Sequence, residues 1–591
     1  MKSIIRKFTA LAVSSVMAVG MASSLPISYL AQAEEDDVIL QVECEDLEGA
    51  TLWTSIYEKQ FPGYSGEGFV YLTNETITVD VEVPEEGMYE FSTRCVQVLD
   101  ESGREQTLSV NGTEFMYKMP YLDTWTDFSF GIHDTLTIKK AALPELNVQP
   151  TLSDADATKE TQGLMNYLCD MYGEHMLSGQ QEIYGGGHTP DAPGGYSGED
   201  LQGYETEFEW IKKQFGDYPA IRGFDMMNYN PLYGWDDGTT ERMIEWGTER
   251  NGIPTVCWHI NVPKNFADYT LGDAVDWTEC TYEPNKTDFD TTQAVIEGTK
   301  ENEYFKLAIA DLAEQLLRVQ EAGVPIIFRP LHEAEGNSNI DGSGSWFWWG
   351  KGGAEVYKQL WQLLYTTLTE EYGVHNLIWE YNSYDYSTSP SWYPGDEWVD
   401  IVGYDKYNCI YNRHDGKPSG SGPNEDAISS TFYTLVDLTN GKKLVSMPEN
   451  DTVPSLENIM VEQAYWLYFC IWYDNGSDNF LSGTNNNDPE TLKEMYQSDF
   501  CITLSELPDW KNYEGTDPTE PTDPSTPPVI LGDMDSNGML NVVDAVLMRR
   551  YLLTSVTSLY DVVLYEEAWD WNEDGKFSLL DLIGLTKFLL R

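Results

Sequence analysis

Between residues 151 and 513 the chain is punctuated by short apolar runs: HMLSGQQ, PAIRGFDMM, IPTVCWHI, VPIIFRPLHE, NLIWEYN, VDIVGYDKY, KLVSMPEN and YFCIWYD. Segments of helical period lie between several of them. In NEYFKLAIADLAEQLLRVQEAG, residues Tyr304, Ala308, Leu312, Leu316 and Val319 share one face, and Gly323 supplies a stop. AEVYKQLWQLLYTTLTEEYG repeats the pattern and stops at Gly373. Eight buried strands alternating with helices over this length predict a (β/α)8 barrel. A doubly wound open sheet would use the same pattern, but no Gly-rich phosphate loop follows the first strand.

The flanks have other rhythms. Over residues 34–150, Ile77, Val79, Val81 and Val83 alternate with polar neighbours, and LSVNGTEF sets Asn111-Gly112 between two strand-like runs. Period two with a hairpin turn predicts a β-sandwich. Residues 514–529, EGTDPTEPTDPSTPPV, have nothing to bury and read as an extended linker. Residues 530–591 hold an internal repeat, GDMDSNGMLNVVDAVLMRRYLL and WDWNEDGKFSLLDLIGLTKFLLR, which align residue for residue. Each copy has oxygen-bearing side chains at loop positions one, three, five, nine and twelve and Gly at six, then an amphipathic helix. That is how an EF-hand-like loop wraps one hard cation.

Composition narrows the setting. A chain of 591 residues exceeds one core, and three or four domains are expected. A formal net charge of −63 excludes nucleic acid as a partner and disfavours an anionic membrane surface. Lys2, Arg6 and Lys7, an apolar stretch, then Ala31-Gln32-Ala33 predict a secretory signal peptide over residues 1–33. No later segment is apolar enough for membrane insertion. The eight cysteines form no CxxC pair and no regular framework, so no disulfide is assigned; Cys257 and Cys280 are the closest pair in sequence.

In a barrel of this kind, function sits at the C-terminal strand ends. Those ends supply Gln180-Gln181, Asp225, His259, His332-Glu333, Glu380, Asp405 with Tyr407, Glu449 and Trp472. His259 and His332 lie far apart in sequence, no HExxH occurs, and no G-x-S-x-G elbow is present. Carboxylates, amides, hydroxyls and Trp remain. This is an inventory for binding a sugar and hydrolysing its glycosidic bond, which needs one protonated and one ionised carboxyl.

The motifs RPLHE…WFWWG, GYDKYN and VSMPENDTVP resemble the signatures of glycoside hydrolase family 26, chiefly endo-β-1,4-mannanases, over nearly the whole of residues 151–513. The resemblance implies Glu333 as acid/base after strand four and Glu449 as nucleophile after strand seven. It implies that His332 and Tyr407 orient the site, with Tyr407 bonding the nucleophile. His259, Trp346, Asp405 and Trp472 match sugar-contacting positions. No cofactor for catalysis is implied. Glu335 and Glu380 are rivals for the two carboxyl roles, and Trp348 and Trp349 read as barrel packing. One departure is AEGNSNIDGSGS, which separates Glu333 from the WFWW run where the family has only a few residues.

The tail resembles a type I dockerin. The resemblance implies one Ca²⁺ at Asp533, Asp535, Asn537, Asn541 and Asp544, a second at Asp570, Asn572, Asp574, Ser578 and Asp581, and a cohesin module of a scaffoldin as partner. Val542-Val543 and Leu579-Leu580 replace common hydroxyl residues at the partner-reading positions, which leaves the cohesin type open. VILQVECEDLEGA and GYSGEGFV in the N-terminal region resemble carbohydrate-binding modules of family 35, with Glu43 and Glu45 at a structural calcium position. Together these imply a secreted cellulosomal retaining endo-β-1,4-mannanase acting on β-mannan. The alternatives are a family-26-like β-1,3-xylanase or mixed-linkage β-glucanase, or a non-catalytic carbohydrate-binding scaffold protein.

Overall fold

The computed structural model describes residues 6–11 and 38–515, apart from 57–58, 72–75, 82, 84–88, 98–103, 111–112, 120–121, 129–131, 141–142, 184–200, 338, 414–416 and 475–478. The chain divides into two units, residues 1–515 and 516–591.

The N-terminal region forms two antiparallel sheets, the sandwich class that its period-two pattern predicts. One sheet runs Thr113–Met119, Arg104–Val110, Arg6–Leu11, Thr76–Val81; the other centres on Tyr89–Gln97 and Ile132–Lys140, with both Phe69–Val70 and Val38–Glu43 also paired to the latter. Thr113 pairs with Val110, so the two strands that flank the predicted turn are antiparallel neighbours; Asn111 and Gly112 themselves lie outside the described residues. Ile77 of the first sheet and Val70 of the second share an apolar cluster with Cys44. Arg6–Leu11, inside the expected leader, pairs with both neighbours, so cleavage after Ala33 would remove that strand.

The predicted barrel closes from eight parallel strands: β1 Gly179–Gln181, β2 Ile221–Asp225, β3 Ile253–Trp258, β4 Ile326–Pro330, β5 Leu377–Asn382, β6 Ile401–Gly403, β7 Leu444–Asn450 and β8 Phe469–Ile471. Each falls within one of the eight apolar runs, and Gln180↔Ile471 closes the ring. Helix α1, Lys159–Met171, precedes β1. Helices α2 Leu201–Phe215, α3 Thr239–Thr248, α4 Lys300–Glu321 and α5 Ala354–Thr366 then follow β1 to β4 in turn. Helices α6 Ser429–Leu438, α7 Leu456–Glu462 and α8 Pro489–Tyr496 follow β6 to β8. The apolar face of α4 is buried as its spacing predicts; Thr299 caps its start, and Gly323, at φ +68°, ends it in a conformation that disfavours a side chain.

The alternation breaks once. Between β5 and β6 the described residues hold only a 3₁₀ turn, Ser389–Ser391. Pro390 and Pro394 each lack the N–H that a longer helix would use. Trp392, fully buried, packs edge-on to Tyr357 of α5 and covers the barrel there. All eight cysteines are free thiols, so Cys257 and Cys280 are not bridged. Among the described residues no helix is long and apolar enough to cross a membrane.

Candidate active site

The C-terminal end of β4 turns sharply. Leu331 and Glu333 both take left-handed backbone conformations, at φ 52° and 51°. For residues with a Cβ each costs about 1–2 kcal/mol. Leu331 is fully buried, and the backbone N–H of Glu333 donates to Asn382 Oδ1 at 2.7 Å, so packing and β5 hold the turn. Tyr384 donates its hydroxyl to Glu333 Oε1 at 3.0 Å. Burial, then the neighbouring Glu449, pushes the Glu333 carboxyl up to about 7.

Glu449, buried near the end of β7, is held differently. Arg329 on β4 donates to Glu449 Oε1 and, at 2.8 Å, to Asp405 Oδ2. Tyr407 donates to Glu449 Oε2 at 2.9 Å. Burial, then Glu449, drives the Tyr407 phenol well above its ordinary range, so it stays a donor. Burial also drives Asp405 well upward against the pull of Arg329, and its Oδ1 is buried with no partner. The result is a carboxyl poised to hold a proton beside a carboxylate bound by a guanidinium and a phenol. One can give a proton while the other offers a lone pair.

The two histidines, distant in sequence, are adjacent in space: His332 Nε2 and His259 Nε2 lie 3.2 Å apart. Burial works to lower His259, but Asp225, whose Oδ2 accepts from Nδ1 at 2.5 Å, outweighs it and the pKa rises. Burial, Arg329 and His259 push His332 well below its usual value. The Nε2–Nε2 contact thus joins an imidazole held toward its neutral form, His332, to one held toward its charged form, His259. Cys257 joins Asp225 and His259, ligand atoms within 4.8 Å, a grouping that sequence reasoning missed. In it the His259–Asp225 bond already occupies two of the donor atoms, and burial holds the Cys257 thiol up.

The aromatic run divides. Trp348 and Trp349 are fully buried, donating to Ile260 O and His332 O, both at 2.7 Å. They are packing, and Trp349 also positions the His332 backbone. Phe347 stacks on Trp349 with ring centroids 4.5 Å apart and meets both histidine rings. Trp346 is 40% exposed and lies edge-on to Tyr384, beside Glu333. The insertion before it is pinned, Asn337 N donating to Gly344 O at 3.0 Å and Ala354 N to Ile340 O at 2.9 Å. Gly336 there has φ +53°, and a Cβ would sit 2.2 Å from Gly344 O. Trp472, half-buried after β8, packs against Tyr473.

The rival carboxyls turn elsewhere. Glu335 accepts from Ser389 Oγ at 2.6 Å and Tyr384 N at 3.2 Å, tying the β4 and β5 loops together. Glu380 lies inside the barrel with Ser446 and Tyr468. Arg329, Asn382 and Tyr384 were not singled out from the sequence. Their only signal was position, Arg329 four residues before Glu333 and Asn382 and Tyr384 at the end of β5.

In the N-terminal region Glu43 Oε2 accepts from Ser65 at 2.8 Å, and Glu45 Oε1 from the N–H groups of Glu67 and Gly68 at 3.0 and 3.1 Å. Glu45 Oε2 is buried without a partner, and a Cβ at Gly66 would meet Glu45 at 2.3 Å. This oxygen-lined cradle fits a hard cation. The tail residues Asp533, Asp535, Asn537, Asn541, Asp544, Asp570, Asn572, Asp574, Ser578 and Asp581 lie outside the described residues.

Comparison with known proteins agrees with this geometry. Residues 153–506 match the model of glycosyl hydrolase family 26, and residues 531–590 that of the dockerin type I domain. The chain is 30% identical to a mannan endo-1,4-beta-mannosidase of Thermothelomyces thermophilus over 81% of its own length and 93% of the relative's. A ruminal GH26 endo-beta-1,4-mannanase structure superposes with TM-score 0.69 at 52% identity, covering 81% of this chain and 99% of that one. The Podospora anserina GH26-CBM35 beta-(1,4)-mannanase gives 0.54 at 28% identity, over 81% of this chain and 100% of that one. A closed barrel with two carboxyls at its mouth, matched over more than half its length, makes this chain a member of glycosyl hydrolase family 26, a glycoside hydrolase that carries a type I dockerin domain.

Proposed function

We propose that this chain is a secreted endo-β-1,4-mannanase that hydrolyses mannan by double displacement with retention. The observation that carries the mechanism is the unequal treatment of two neighbouring carboxyls: Glu333 is pushed up to about 7, while Glu449 is bound by Arg329 and Tyr407. Glu449 attacks the anomeric carbon as the glycosidic bond breaks, and Glu333 passes its proton to the leaving oxygen. Glu333, now ionised, takes a proton from water, which attacks the same carbon and frees Glu449. Direct attack needs carboxyls about 5–5.5 Å apart, with no room for an intervening water. His259, His332, Asp405, Trp346 and Trp472 bind the sugar. The mannan preference rests on the relatives at 30% and 52% identity, both mannanases by name.

The leader over residues 1–33 directs export, and the tail docks onto a cohesin of a cell-surface scaffold. Calcium in the two tail loops and at Glu43 and Glu45 would neutralise clustered carboxylates and order the chain around them. The N-terminal sandwich acts as a carbohydrate-binding module. Reducing-sugar release from galactomannan, glucomannan, xylan and lichenan tests the substrate, with mannans expected to dominate. NMR of the first-formed product tests the mechanism; an inverted anomeric centre would overturn both carboxyl roles.

A further inference from the structure

Glu335 lies two residues beyond Glu333 and is only 1% exposed, too little for a substrate to touch. Its carboxyl accepts from three neutral donors: Ser389 Oγ at 2.6 Å, Tyr384 N at 3.2 Å and the Tyr381 hydroxyl at 3.4 Å. Burial outweighs them and pushes the group up to about 7. If joining two loops were the whole task, a packed apolar contact would do it without burying an ionisable group. The residue that Glu335 grips supplies a better reason.

All three donors lie on β5 or in the loop after it. Ser389 opens the 3₁₀ turn that stands where the helix between β5 and β6 is missing, so the break in the alternation brings this hydroxyl back to the β4 loop. Ser389 Oγ also accepts from Tyr386 N at 3.2 Å, which braces the segment between them. Tyr384 is held at both ends. Glu335 accepts from its backbone N–H, and its hydroxyl donates to Glu333 Oε1 at 3.0 Å. Its ring packs against those of Tyr386 and Tyr404, with centroids 5.5 and 5.7 Å away. With backbone and ring fixed, the hydroxyl stays on Glu333. An Oε1 that accepts from a phenol leaves Oε2 to carry the acidic proton.

We infer that Glu335 is a positioning residue: it clamps the loop after β5 to the loop after β4, so that Tyr384 aims the Glu333 proton at the leaving oxygen. This role rests on Glu333 being the acid. Glu335 is itself the second residue of the AEGNSNIDGSGS insertion, which ties that departure in the sequence to the chemistry.

The test measures kcat/KM of the full-length protein on mannan and on a dinitrophenyl β-mannobioside, whose leaving group needs no proton. Glu335→Ala should lower the value for mannan about ten- to hundredfold, part of what general acid catalysis supplies. For the dinitrophenyl substrate the loss should stay within about threefold. Glu335→Gln, which keeps an acceptor for Tyr384 N and a partner for Ser389, should recover most of the mannan activity. Tyr384→Phe should lose as much as Glu335→Ala, and the double variant little more, because both act through one bond. Equal losses on the two substrates in Glu335→Ala, or losses that multiply in the double variant, overturn the clamp. If Glu335→Ala does not fold, Ser389→Ala takes its place by removing one donor. A fall on mannan alone then supports the clamp, and an equal fall or none overturns it. Glu333→Ala separates the two readings. If it spares the dinitrophenyl substrate, the acid stands whatever Glu335 does; if it loses both substrates equally, the acid assignment fails and the clamp with it.

Discussion

Tyr407 donates its hydroxyl to Glu449 Oε2 at 2.9 Å, opposite the oxygen that Arg329 holds. Each Glu449 oxygen thus has its own donor, and the pair fixes the plane of the carboxylate. A hydrogen bond to a charged group contributes about 1.5–3 kcal/mol. Tyr407→Phe should lower kcat about ten- to hundredfold with little change in thermal unfolding. Unchanged steady-state turnover in that variant would remove Tyr407 from the mechanism.

The raised pKa of Glu333 sets a pH dependence with a definite sign. In the proposed mechanism its carboxyl must be protonated to serve the leaving group, and burial together with Glu449 raises it from 4.5 to about 7. The pH profile of kcat/KM should therefore fall as pH rises through about 7. Stability follows the same group: the folded state holds the proton more tightly than the unfolded one, so stability is lost as pH rises from about 4.5 through 7. Glu333→Gln, which cannot ionise, should melt several degrees above wild type at pH 8, and the gain should vanish below pH ~4.5. Equal melting at pH 8 would contradict the shift.

Asn382 offers a positioning test. Its Oδ1 accepts from the backbone N–H of the strained Glu333. Asn382→Ala leaves that turn without its tether to β5, a loss of about 1–3 kcal/mol. Turnover of mannan should fall about tenfold or more, and of aryl glycosides with good leaving groups much less, because these need no proton from Glu333. Equal losses on both substrates would mean that the variant disturbs more than the acid.

Neighbouring tryptophans should respond in opposite ways. Trp348, fully buried and bonded to Ile260 O, predicts a loss of about 3–5 kcal/mol of stability in Trp348→Ala, measured by denaturant unfolding. Trp346→Ala should leave unfolding within about 0.5 kcal/mol of wild type and weaken substrate binding instead.

Glu449→Ala should keep the fold and lose nearly all turnover, and added azide should yield a glycosyl azide of inverted configuration, since azide takes the place of the missing nucleophile. Failure to form that product, with the fold intact, would reassign the nucleophile.

Calcium removal separates the two ends of the chain. EDTA should abolish cohesin binding, because the paired tail loops gather carboxylates that repel one another without a cation. Hydrolysis by the barrel should persist. Calorimetry showing no calcium uptake by the full-length chain would defeat the tail assignment.

The sequence by itself determined the barrel, because eight short, largely apolar stretches recur with helical patterns between them, and burial on both faces needs little more specific than that. It also marked Glu333 and Glu449 as the candidate carboxyls, since strand ends are countable and the motifs around them are distinctive. The missing helix between β5 and β6 was legible in Pro390 and Pro394, although the strand count alone concealed it. What decided the chemistry was tertiary. Arg329 joins β4 to β6 and β7, Asn382 and Tyr384 reach from β5 to Glu333, and His259 meets His332 across 73 positions. Barrel closure creates those contacts by placing the ends of different strands side by side, at separations along the chain that no local pattern encodes. The pKa of Glu333 is of the same kind, because it depends on burial and on a neighbour contributed by another strand.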